Sequence, residues 1–110
     1  MSNHFDSAQV AASVGAELHQ VDHRTVKPLF GKPREEYAHM MSHPTPRVAI
    51  ATIHANLVHA GENVGATGEQ RVPNADGFMA NLYSFQFTDG SGARHTVHMM
   101  RPAGRLEYGR

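Results

Sequence analysis

A chain of 110 residues, 40% of them hydrophobic and none of them cysteine, suits one domain with its own core and excludes disulfide scaffolds and thiolate metal sites. Ten basic side chains balance ten acidic ones, so no electrostatic footprint for nucleic acid or anionic lipid is visible. No apolar run approaches the roughly 20 residues that span a bilayer, and the start lacks a basic segment followed by an apolar one, so a soluble cytoplasmic protein is expected, without nucleic-acid or membrane partners.

Taken in chain order, Ser7 to His19 predicts a short helix, with Val10, Val14 and Leu18 at helical spacing and Asp6 or Ser7 as N-cap. Val21 to Phe30 reads as extended, because Pro28 excludes a helix interior and Gly31 ends the segment. Lys32 to Met41 predicts a second short helix, with Pro33 in its first turn and Glu35 and Glu36 near the positive end of its dipole. Arg47 to Ala60 admits two readings. Val48, Ile50, Thr52, Ile53 and Val58 are β-branched and favour a strand. Thr45 as N-cap, Pro46 in the first turn and Gly61 just past the end would instead frame a helix.

Gly61 to Asp76 is rich in turn residues, with room for a short strand near Val64 to Ala66. The clearest element follows. Tyr83, Phe85 and Phe87 alternate with Ser84, Gln86 and Thr88, and His95, Val97 and Met99 resume the alternation after Asp89-Gly90-Ser91-Gly92. Leu82 to Thr88 should therefore pair antiparallel with Arg94 to Arg101, burying Phe85 and Phe87. Frayed ends are expected near 1–6 and 103–110. The fold class is α+β: one domain, 1–110, in which a curved antiparallel sheet packs against short helices. So little helix cannot cover both faces of long strands, which points to a homodimer.

Nine histidines are spread along the chain. His19 with His23, and His39 with His43, have the i,i+4 spacing of one helical face, but there is no H-E-x-x-H and Pro44 follows His43 directly, so no metal site is expected. His95 and His98, three apart on a strand, must face opposite sides. His98 or His54 is the better single-histidine candidate for acid–base work.

The order of parts resembles the nuclear-transport-factor-two-like superfamily, in its ketosteroid isomerase and polyketide-cyclase branches. The similarity rests on the Val21-Asp22-His23 segment, Pro28-Leu29-Phe30-Gly31, and Phe85-x-Phe87-x-Asp89-Gly90-x-Gly92. It implies a cone-shaped sheet around an apolar pocket, with no cofactor. It also implies Asp22, nine residues before Gly31, as a proton-shuttling base, and Tyr83 at the position of an oxyanion donor. The expected function is binding of a small apolar or aromatic ligand, with proton transfer on a carbonyl compound as its possible chemistry. Asp22, Tyr83 and His98 are the catalytic candidates, and Tyr37, His54, Phe85 and Met99 the pocket-lining ones. A non-catalytic interaction or dimerisation module is the alternative. The two differ in whether a carboxylate or histidine points into an enclosed cavity.

Overall fold

A computed structural model describes residues 5–73 and 77–102. It is a single α+β domain of two helices and a six-stranded open sheet. The first helix, α1 (Ser7–Ser13), starts where the Gln9 N–H donates to the Asp6 carboxylate, the expected cap. Phe5 and Asp6 are thus tied to the body, and the rest of the two expected frayed ends lies outside the described residues. The predicted helix to His19 stops early because Gly15 takes a φ of +75°, the left-handed conformation that closes helices. The chain then enters β1 (Glu17–Val26), which carries the expected extended segment only from Val21 to Val26 and places His19 on a strand.

The second predicted helix is a strand, β2 (Arg34–Ser42), paired antiparallel with β1. Pro33, Glu35 and Glu36 are local helix-start signals, but Tyr37, His39 and Met41 form an inward-facing row that only a period of two can bury together. The ambiguous segment is a helix, α2 (Pro46–His59), and the lean toward a strand is corrected. Ile50 and Ile53 are buried against the sheet, so burial on one helical stripe overrode the β-branched preference.

After α2 come β3 (Asn63–Val64), within the expected region, and β4 (Gly68–Pro73), which the turn-rich composition concealed. Then β5 (Met79–Thr88) and β6 (Arg94–Met100) form the expected hairpin, with Phe85 opposite Val97 and Phe87 opposite His95. Phe85 and Phe87 are both buried. The sheet order is β1-β2-β6-β5-β3, with β4 also on β5. One pairing departs from the antiparallel expectation: β2 and β6 run parallel, so the sheet is mixed.

Both helices contribute to one core with Met41, Phe85, Phe87, Val97 and Met99, which defines a helix-covered face. Residues aligned across the strands share a face. Tyr83, Met99 and Met41 therefore lie on the helix side, while Asp22, Ala38, Thr96 and Gln86 lie on the other. Among the described residues no helix is long and apolar enough to cross a membrane.

Candidate functional site

The middle of the helix-covered face is filled by Ile50, Ile53, Phe85, Val97 and Met99, and cavities open at its two ends. At one end, β4 and β5 meet the start of α2 around an open cavity of about 530 Å³. Arg47, Arg71 and Arg101 line it together with Asn81 and Tyr83, and Pro46, Val48 and Met79 supply apolar wall. The Arg47 guanidinium sits 6.0 Å from the centre of the Tyr83 ring, within cation–π range. Arg47 also pairs with Glu69 at 3.6 Å, and an Arg71 N–H reaches Asn81 Oδ1 at 3.5 Å. Among the described residues that is the one ion pair these three arginines make. Among the described residues that line the cavity three are arginines and none carries a carboxylate.

At the other end lies a recess of about 220 Å³ beside the β5–β6 turn, lined by Phe5, Tyr37, His39, Asp89, Ser91 and His95 among others. Three of its side chains form a buried chain of hydrogen bonds. The His95 Nε2–H donates to Asp89 Oδ2 at 2.8 Å, and His95 Nδ1 meets His39 Nε2 at 2.9 Å. Asp89, His95 and His39 are only 8%, 3% and 2% exposed. A neutral His95 that donates through Nε2 has a lone pair on Nδ1, which accepts from the His39 Nε2–H. His39 Nδ1 is then left as a buried acceptor, and it has no partner among the described residues.

Electrostatics follow from this packing. Burial, and secondarily the neighbouring His95 and His98, lower His39 to about 4, so its ring is neutral at pH 7. Burial by itself would raise Asp89, but hydrogen bonds from His95, Ser91 and Ala93 together outweigh it and hold the carboxyl at about 2. Tyr37 stacks on His95 at 4.9 Å and donates its hydroxyl to Glu35 at 2.7 Å, a bond that raises the phenol above its usual range.

The structure separates the sequence candidates. Asp22 is exposed and sits on the uncovered face, opposite Tyr83. The shared Asp22–Tyr83 cavity is therefore a correction: strand register places the two carriers on opposite sides of the sheet. His98 also lies on the uncovered face, half-buried, where Ser84 Oγ meets its Nδ1 at 2.7 Å and burial lowers its pKa. Its separation from His95 is as expected. The His54 Nε2–H donates to the Gly65 carbonyl at 2.8 Å and its ring meets Phe85 edge-on. Met99 is a wholly buried core residue, while Phe85, though buried, borders an open cavity of about 500 Å³ together with Ser84 and His98. Tyr37 and Tyr83 do line cavities, at opposite ends of the face.

The helical histidine pairs dissolve as well, since His19, His23 and His39 stand on strands and His43 binds the Val14 carbonyl from a loop. Among the described residues no three acidic or histidine side chains are placed to hold a metal. Sequence reading missed both end sites. The arginines come from three distant places in the chain. Asp89 was legible only as a turn residue, although its position six before His95 puts both at one strand end.

Fold and cavities together define an α+β domain with one helix-covered face, one uncovered face and a polar cavity at each end of the covered side. Compared with family models, curated proteins and solved structures, the chain matches none of them.

Proposed function

We propose that this protein binds a small organic anion with an apolar or aromatic body in the arginine-lined cavity. The observation that carries the reading is that three arginines, and among the described residues no carboxylate, line one cavity of about 530 Å³. Guanidinium pairs carboxylate or phosphate with two parallel N–H bonds, while Tyr83, Val48 and Met79 offer a face to the remainder of the ligand. This keeps the small-ligand side of the nuclear-transport-factor-two-like resemblance and assigns the anion to residues that the resemblance did not supply. Acid–base catalysis by Asp22 with Tyr83 is not part of it, given their opposite faces.

Calorimetric titration with benzoate and phenyl phosphate tests the reading. Both should bind, benzamide should bind at least about tenfold more weakly, and Arg71→Ala with Arg101→Ala should remove at least about tenfold in affinity. Equal binding of benzamide, or no loss in the double variant, would refute it.

A second reading rests on the uncovered face, where Met40, His98 and Met100 project from β2 and β6 on the side opposite the helices. Burying such a face against a second copy gives a homodimer. Light scattering at micromolar concentration should give twice the monomer mass, and a Met40→Glu variant should be monomeric. A clean monomer before substitution ends this reading.

A further inference from the structure

The hydrogen-bonded chain from Asp89 to His39 ends on an atom that the fold leaves unused. A buried acceptor without a donor is costly, and most native buried polar groups avoid this. The alternative protonation pattern fares worse. If His95 donated through both nitrogens, His39 Nε2 would accept and its Nδ1–H would be a buried orphan donor, the rarer and less tolerated state. The chain of bonds therefore fixes His39 as a neutral ring presenting a lone pair.

Around it the walls are flat rings. Phe5 meets His39 edge-on at 4.9 Å, Tyr37 and Phe87 stack on the two sides of His95, and Phe5 also touches Phe87 at 5.0 Å. The adjoining recess of about 220 Å³ exceeds the ~150 Å³ of an apolar cavity known to take benzene. Room, aromatic walls and an unpaired acceptor occur together.

We propose that this recess is a second binding site, for a small neutral aromatic ring carrying a single N–H or O–H donor, which donates to His39 Nδ1. Asp89 and His95 are positioning residues: they fix the tautomer of His39 and so decide that the site takes a donor and not an acceptor. Phe5, edge-on to both His39 and Phe87, is one wall of the site. The proposal is independent of the arginine-lined cavity at the far end of the sheet.

Indole is a suitable probe because its ring nitrogen donates and cannot accept. Benzofuran is the same size and lacks the donor. On the full chain, nitrogen NMR of the histidine rings should show His39 carrying its proton on Nε2, and indole should shift the Nδ1 signal. Indole should bind at least about tenfold more tightly than benzofuran, a ratio worth about 1.4 kcal/mol. His39→Phe should abolish that preference, while Arg71→Ala should leave it intact. If His39→Phe does not fold, Phe5→Ala serves instead: it enlarges the recess and should bind indole at least as tightly, with the preference over benzofuran retained. A proton on His39 Nδ1, equal binding of the two probes, or no binding of indole would overturn the assignment.

Discussion

Asp89→Ala should destabilise the domain by roughly 3–5 kcal/mol, the cost of losing several hydrogen bonds to one carboxylate and leaving buried donors unsatisfied. Domains of this size have about 5–15 kcal/mol in total, so the variant should be near unfolding. The reason is the number of donors that converge on one carboxylate. Asp89 Oδ1 accepts from the Ser91 N–H, the Ser91 hydroxyl and the Ala93 N–H, at 2.9, 2.7 and 3.0 Å, and Oδ2 takes the His95 Nε2–H. Alanine strands the buried Ala93 and His95 donors, while the exposed Ser91 can turn to water. The same residue fixes the reversal between β5 and β6, which Gly92 completes with a φ of +92°. Asp89→Asn, with one carbonyl oxygen left, should cost less than alanine. Urea unfolding of the three proteins gives the comparison, and a loss below about 1 kcal/mol for alanine would show that the network is not essential.

Stability should also fall steeply with acid, and His39 sets the window. Its pKa is about 4 in the folded protein against the ordinary 6.5, so between those values the unfolded chain binds a proton that the native one refuses. Stability is complete above pH 6.5 and is lost as pH falls toward 4, by on the order of 3 kcal/mol over the window. His98, also lowered by burial, adds in the same direction. Asp89 contributes separately and lower down, its stabilisation vanishing only as pH falls from 3.8 toward about 2. Unfolding curves at pH 7.5 and 4.5 should differ by most of the His39 contribution. His39→Gln, which keeps a donor toward His95 but does not titrate, should show a visibly shallower pH dependence. An unchanged slope would mean that His39 protonates freely in the native state.

How far the fold was legible depended on whether each element carried its own signal. The β5–β6 hairpin did: Tyr83, Phe85 and Phe87 alternate cleanly, and Asp89 to Gly92 spell a reversal. For α2, local residues gave both answers, and the decision lay in the burial of Ile50 and Ile53 against strands far along the sequence. In β2 the local evidence pointed to the wrong structure. Pro33 and two glutamates mimic a helix start, while the inward row of Tyr37, His39 and Met41 hides behind a histidine that does not count as apolar. The two end sites were less legible still. His39 and His95 are 56 residues apart and meet only because β2 lies beside β6. Arg47, Arg71 and Arg101 have no common motif and are gathered by a helix start, a strand and a strand end.

The parallel contact of β2 with β6 has a consequence for how the chain assembles. Among the described residues β6 is the last strand in sequence, yet it stands in the interior of the sheet, between β2 and β5. Until residues from Arg94 onward dock, β1 with β2 is a lone two-stranded ribbon, and β5 with its short partners is another piece with no hydrogen-bonded link to it. Joining them closes a loop of more than 50 residues, so the entropy of that closure comes due before most of the sheet's rewards. The β5–β6 hairpin closes locally, so the slow step expected in folding is the docking of its β6 edge against β2. During synthesis those edges stand open, and the time they stay open sets how long the young chain is exposed to its own aggregation.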